Sequence, residues 1–471
     1  MKKSFSRRSL LKAGLSLAAL PAAGLGWAGG GTRRVLVVGA GLAGLYAARL
    51  LQQFGCQVQV IEGRERVGGR LYTLDEVPGH PEGGGNTIGA NYGRILDTAK
   101  RLGVGLEVPP KNLPMGLVVD GHKIAAQDWA GSPHNPLPEH LRSVPPGRLY
   151  STVMREHPYK AAADWRNPLL QQQDRAADDL LRAAGLGDKA LGLVDANNSY
   201  GNRLADTSAL SLYRVVANIG RIIRMGKPSQ QVAGGNMRLP EAMADSLAEP
   251  VILGQRIVAV TQSPSGVRLR SESGGEYQGD AVILTLPTTA LRKLDFAPAL
   301  PVAQQQAFQA LHYHKITQAH LVADGPFWED SGDPGGYWTN GPLGRIFTRP
   351  IPGSGQFAIN CWINGDSCDR FDRVDAEQAA DDVMREYLKI YPQAAGAVRL
   401  HRLVRWQLEP FNEGTWAIWR PGDIAKYADL LHQPAAMVFF AGEHTSFANP
   451  GMEGAAESGE RAALEVLRAL A

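Results

Sequence analysis

Between Arg33 and Glu62 the chain spells a strand, a glycine turn, a helix and a second strand that ends in an acid, and few folds accommodate that order. Val35-Leu36-Val37-Val38 is an apolar run with the length of a buried strand. Gly39-Ala40-Gly41-Leu42-Ala43-Gly44 follows with GxGxxG spacing. In such a turn Gly39 permits the tight bend, Gly41 lets backbone N–H groups approach a pyrophosphate, and Gly44 lets the next helix pack on the strand. Leu42 to Phe54 carries a helical pattern whose N-terminus favours an anion. Val58-Gln59-Val60-Ile61 reads as the second strand, and Glu62 is the acid that accepts hydrogen bonds from a ribose. A lone GxGxxG is a weak signal. Here the strand, the helix and the acid all stand in place, which points to a dinucleotide-binding α/β unit.

Glu62-Gly63-Arg64-Glu65-Arg66-Val67-Gly68-Gly69-Arg70 comes next, and Val438-Phe439-Phe440-Ala441-Gly442-Glu443 with Pro450-Gly451-Met452-Glu453-Gly454-Ala455-Ala456 lies near the other end. Together they resemble the two signature segments of the FAD-containing amine oxidase family, which includes monoamine, polyamine and L-amino-acid oxidases. The resemblance covers most of residues 33–125 and 230–471 and is loose over 130–225. It implies FAD as cofactor, with the backbone of Gly68 and Gly69 close to it, Arg64 and Arg70 near its phosphates, and Gly63 also in contact with it. Gly442 and Glu443 would meet the ribityl and phosphate portion. The helix opening at Gly451, Met452 and Ala455 would meet the pyrimidine edge. Gly89, Ala90 and Asn91 fall in the first flavin loop. Gly234 to Pro240 resembles the return to the cofactor domain, and Val258 matches the residue that contacts adenine.

The implied fold is α/β: a Rossmann-like FAD-binding domain of the glutathione-reductase-2 type, interleaved with an α+β substrate domain. The cofactor domain is expected at 33–110, 229–295 and 428–471, and the substrate domain at 111–228 and 296–427. Asp174 to Ala184 and Ser208 to Ile223 carry helical patterns suited to a lid. Ile316 to Val322, Phe357 to Ile363 and His401 to Trp406 read as strands, and Ala376 to Lys389 as a helix. These strands are expected to build a sheet over the flavin ring.

In that family a C–H beside an amine nitrogen gives hydride to flavin N5, the imine hydrolyses, and electrons pass to O2 or another acceptor. The implied substrate is an amine or amino acid. Trp416, which follows Gly414-Thr415, matches the aromatic residue that faces the flavin. Its usual partner is missing, because Gly451 stands where monoamine oxidases carry an aromatic residue. The position of the family's catalytic lysine holds Gln318; Lys315, three residues earlier, falls on the opposite face of a regular strand, and a local bulge is what would bring it inward as a catalytic candidate. Gln318 can hydrogen-bond a water but supplies no charge, which points to slow reaction with O2. Tyr92 stands at the position of the L-amino-acid branch's carboxylate-binding arginine. Arg94, two residues on, is expected to cap or pair on its own helix. A desaturase or porphyrinogen-type oxidase of the same fold, acting on C–C bonds, is the nearest alternative. A flavin-binding protein without catalysis is the other.

Ser6-Arg7-Arg8-Ser9-Leu10-Leu11-Lys12, followed by a short apolar run rich in Ala and Gly, reads as a twin-arginine signal over residues 1–28. It implies export by the twin-arginine translocase to the periplasm. Residues 1–30 carry five basic residues and no acid, so the net charge of +3 falls to −2 without them. No basic stripe with interleaved aromatics points to nucleic acid. Three cysteines are too few for a disulfide framework, although Cys361 and Cys368 could pair in an oxidising compartment. No metal-ligand spacing is evident. His312, His314 and His320 read as partly exposed strand positions.

Overall fold

In the computed structural model, which describes residues 32–471, Arg34–Val38 lies inside a four-stranded parallel sheet. The order is Val438–Phe440, Ala281–Leu284, Arg34–Val38, Gln57–Ile61. The expected twin-arginine leader lies outside the described residues. Side chains alternate across the sheet. Val35 and Val37 join a cluster with Leu45, Ala48 and Val466, whereas Leu36 and Val38 join one with Val260 and Leu269. The sheet is therefore covered on both faces, which explains its unbroken apolar strands.

One cover is the helix Leu42–Gln53 packed on the C-terminal helix Gly451–Leu470. A Cβ at Gly459 would stand 2.3 Å from the carbonyl oxygen of Ala43, so the two helices meet backbone to backbone. Buried Ala456, Ala462 and Ala463 keep that approach open. The small residues of the C-terminal segment thus have a packing cause. On the other side, Ile257–Ser263, Gly266–Ser271 and Glu276–Gly279 form an antiparallel meander, with Asp295–Ala297 pairing in parallel on its first strand.

The second sheet has seven strands in the order Val398–Arg405, Ile316–Ala323, Phe357–Asn364, Arg345–Pro350, Gly336–Thr339, Met115–Val119, His122–Ile124. One face is apolar: Ala319, Leu321, Ile359 and Cys361 pack under Val383 and Tyr387 of the helix Ala376–Ile390. The opposite face looks into the site. Helices Ala177–Ala183, Asp188–Asp195 and Ala209–Arg224 cluster over the Met115–Val119 end of the sheet.

Three expectations are corrected. His314 and His320 are buried, not partly exposed: His314 packs behind Trp416, and His320 faces an enclosed cavity. Cys361 and Cys368 are free and buried, and the Cys368 thiol donates to the carbonyl of Ile363. Arg94 does not pair along its own helix. It reaches Glu453 at 3.2 Å and also pairs with Glu460, both on the C-terminal helix. Among the described residues no helix is long and apolar enough to cross a membrane.

Candidate active site

A cavity of about 700 Å³ opens between the carboxyl ends of the parallel strands and the polar face of the seven-stranded sheet. Gly39 and Gly41 follow the first strand, Glu62 the second, Thr285 the third and Gly442 the fourth, and all line it. This is where open α/β sheets bind their ligands.

The glycine turn is built by steric necessity. Gly39 has φ +105°, and a Cβ there would stand 2.5 Å from Thr285 Oγ1. A Cβ at Gly44 would lie 1.9 Å from the carbonyl oxygen of Gly39. The Glu62 carboxylate accepts from the N–H of Ala40 at 2.8 Å and from that of Arg64 at 2.9 Å. Glu62 thus ties the end of the second strand to the turn of the first. The helix Leu42–Gln53 has no side-chain cap and no acid in its first turn. Its leading N–H groups are left for an anion in the cavity. The second glycine pair lies over this turn. The N–H of Gly68 donates to Ala40 O at 2.8 Å, and a Cβ at Gly69 would come within 3.3 Å of the Gly41 Cα. Arg66 holds that loop by donating to the carbonyls of Val67, Gly69 and Leu71. An acid at the strand end, an uncapped helix and a glycine cradle free of side chains are the donor set a dinucleotide such as FAD requires.

The two expected phosphate-side arginines are engaged by protein acids. Arg64 lies 3.3 Å from Glu409 and 3.8 Å from Glu62, with its guanidinium over the Phe411 ring. Arg70 donates from Nη1 to Thr415 O at 2.6 Å and to Glu443 Oε1 at 2.9 Å. Glu443 in turn accepts from the N–H of Ala417 at 3.0 Å. One ion pair therefore joins the first and last signature segments and grips the backbone on either side of Trp416. Burial opposes the Glu443 charge, but Arg70, His444 and the Ala417 N–H together outweigh it and hold the carboxyl below its ordinary range.

Trp416 stacks on His314 at 5.3 Å between centroids and faces Tyr200 at 6.5 Å. Burial pushes His314 down to about 3, so the ring behind Trp416 is neutral. Tyr200 lines the cavity beside Trp416, and Tyr92 lies near Gly451.

The sheet supplies the floor in rows. Gln318 pairs with Trp362, which pairs with Arg345; His320 pairs with Asn360, which pairs with Phe347. All six line the cavity, since directly opposed residues of antiparallel strands share a face. Gln318 donates to Gly83 O and accepts from Asn360 Nδ2, both at 3.0 Å. Its carboxamide is fixed and brings no charge. Lys315 stands off the cavity, 3.2 Å from Asp366 and 2.6 Å from Asp369. The strand carries no bulge at this point, and alternation turns the lysine away.

Of the residues expected from the sequence, Gly39, Gly41, Leu42, Ala43, Glu62, Gly63, Arg64, Gly69, Arg70, Val258, Gly442, Glu443, Gly451, Met452 and Ala455 line the cavity, as do Gln318 and Trp416. Gly44 lies behind it as a packing residue. Gly89, Ala90 and Asn91 also fall outside: Asn91 donates to Asn218 on the helix Ala209–Arg224, and the preceding Gly84, Gly85, Asn86 and Thr87 take the wall. Those four, together with Tyr200, Trp362 and Arg345, carry no motif that singles them out in the sequence. The glycine run Gly83-Gly84-Gly85 was the available signal for the first group.

Comparison with known proteins agrees with this architecture. The family described as flavin containing amine oxidoreductase matches residues 42–467. The chain is 27% identical over 463 residues to an L-amino-acid oxidase of Siganus canaliculatus, covering 92% of this chain and 85% of that one. It is 27% identical over 455 residues to flavin-containing amine oxidase B of Homo sapiens, covering 93% and 86%. In fold it is similar to cyclohexylamine oxidase from Brevibacterium oxydans, with TM-score 0.78, 22% identity, and 93% and 100% of the chains covered. Wild-type putrescine oxidase bound to putrescine gives TM-score 0.76 at 20% identity, covering 93% and 99%. The chain belongs to the flavin-containing amine oxidoreductase family, and its cofactor is FAD.

Proposed function

We propose that this protein is an exported amine oxidoreductase that oxidises a C–N bond. The observation that carries the reading is convergence: the cradle around Gly39, Gly69 and Glu443 and the aromatic-walled sheet face around Gln318, Trp362 and Trp416 line one cavity. FAD, when bound, supplies the two-electron acceptor for hydride at N5 and passes the pair to O2 or another acceptor. The substrate carbon gives up hydride, the nitrogen gives up a proton, and water converts the imine to a carbonyl compound and released amine.

The chain's own residues prepare that step. Arg70 and Glu443 fix Trp416 through the backbone on both sides. Burial pushes Tyr92 up to about 12, so its phenol stays protonated. Apolar and aromatic walls disfavour an ammonium ion, and the neutral amine is the form able to release hydride. Gln318 and the neutral His320 put no cation near the reacting centre, which favours an acceptor other than O2. The pattern around Arg7 and Arg8 supports export by the twin-arginine translocase, and lysine substitution of both should hold the protein in the cytoplasm.

The test is anaerobic mixing of the holoenzyme with a panel of amines and amino acids, followed by flavin absorbance. Bleaching by amines supports the reading. Bleaching only by substrates that lack nitrogen at the reacting carbon would transfer the site to C–C chemistry, and no bleaching at all would leave a binding protein.

A further inference from the structure

Arg345 lines the cavity and has no part in the step described above. Its guanidinium donates to Ser199 Oγ and lies 5.6 Å from the Phe347 ring and 6.0 Å from that of Trp362. Its Nε is buried without a partner. Among the described residues its Nη1 makes no hydrogen bond, and the residue lines the cavity. Arg64 is matched by Glu62 and Glu409, Arg70 by Glu443 and Lys293 by Glu413, and Arg349 on the same strand has the through-space charge of Glu82 acting on it. Among the described residues no carboxylate lies within 4.0 Å of Arg345. Burial pulls its pKa below the ordinary value, and the only ionisable groups acting against that are Tyr200 and Tyr150. A desolvated guanidinium without a counter-charge is costly unless a ligand supplies one.

Its place in the sheet gives the distance. Arg345, Trp362 and Gln318 stand side by side on three adjacent strands and share a face. Two strand spacings put the outer backbones about 10 Å apart. Ser199, Phe347 and Trp362 hold the guanidinium on its own side of this row. Gln318, at the other end of the row, marks the reacting end.

Resting on the amine oxidation proposed above, we infer that Arg345 binds a carboxylate remote from the reacting carbon, so that the preferred substrates are ω-amino carboxylates. Trp362 and Phe347 form the apolar bed under the connecting chain. An α-amino acid carries its carboxylate on the reacting carbon and gains nothing from an arginine so placed.

The experiment compares 4-aminobutanoate, 5-aminopentanoate and 6-aminohexanoate with butylamine, pentylamine and hexylamine, and with the α-amino acid norleucine, as anaerobic reductants of the holoenzyme. At least one ω-amino carboxylate should exceed its matching alkylamine in limiting reduction rate over Kd by roughly 10- to 100-fold, the range of a charge-assisted hydrogen bond. Arg345→Gln should erase that advantage by lowering the ω-amino carboxylates to the level of their matching alkylamines, and Arg345→Lys should restore part of it. A second readout needs no turnover. Unreactive pentanoate should perturb the flavin spectrum of the wild type at lower concentration than pentanamide, and Arg345→Gln should abolish the difference. Reduction by alkylamines with no carboxylate preference would overturn the inference while the proposed function stands. So would a preference for norleucine that depends on Arg345, or equal binding of pentanoate and pentanamide. If no amine of either kind reduces the flavin, the proposed function itself fails, and the pentanoate titration still decides whether Arg345 takes an anion.

Discussion

Arg70→Met should release the clasp that joins the two ends of the cofactor site. The side chains of Arg70 and Glu443 are only 24% and 12% exposed, so the substitution strands a nearly buried carboxylate. Removing one partner of such a pair costs about 3–5 kcal/mol, whereas replacing both by neutral groups costs far less. The double variant Arg70→Met with Glu443→Gln should therefore be more stable than Arg70→Met alone. The pH dependence changes sign as well. In the wild type the Glu443 carboxyl is depressed, so its contribution is fully present above the unfolded value of about 4.3 and is lost as pH falls through the folded value. Without Arg70, burial dominates and raises the carboxyl. Folded Glu443 then binds a proton more tightly than the unfolded chain does, and stability falls as pH rises above about 4.3. Urea midpoints of the FAD-saturated protein, taken at constant m-value from pH 4 to 8, read both effects. A loss under about 1 kcal/mol, or a double variant no more stable than the single one, refutes the clasp.

Glu62→Gln should weaken FAD binding by roughly 10- to 100-fold in flavin-fluorescence titrations, because the carboxylate accepts two backbone N–H groups and a charged acceptor is worth about 1.5–3 kcal/mol. Gln318→Lys should speed reoxidation of the reduced flavin in air-saturated stopped flow, since a cation stabilises the charge that develops on oxygen. Lys315→Met should leave that rate unchanged, because its ammonium group is held between Asp366 and Asp369 outside the cavity.

The strand–turn–helix with Glu62 and the helix that follows Gly451 were legible because each position there is dictated locally. A Cβ at Gly44 or Gly459 collides with a backbone oxygen, and no other residue meets the requirement. The orientation of Lys315 away from the site was legible for a similar reason, since alternation along a strand is a local rule. The substrate face was not. Arg345, Phe347 and Arg349 alternate along one strand, but the pattern alone does not tell which face is buried against a helix and which lines a cavity. That depends on pairing with Trp362 and Asn360, and through them with Gln318 and His320. Tyr200 lies in the region with the loosest family resemblance and reaches Trp416 only through tertiary packing. The clasp between Arg70 and Glu443 spans 373 positions of sequence, and no spacing rule announces it.

The absorbance spectrum of the purified, folded protein, with the chromophore released by denaturation and quantified, tests the central claim most directly. The account predicts a yellow protein holding one FAD per chain, and loss of that FAD when Gly44 is replaced by Val. A folded but colourless protein that takes up no added FAD would contradict it.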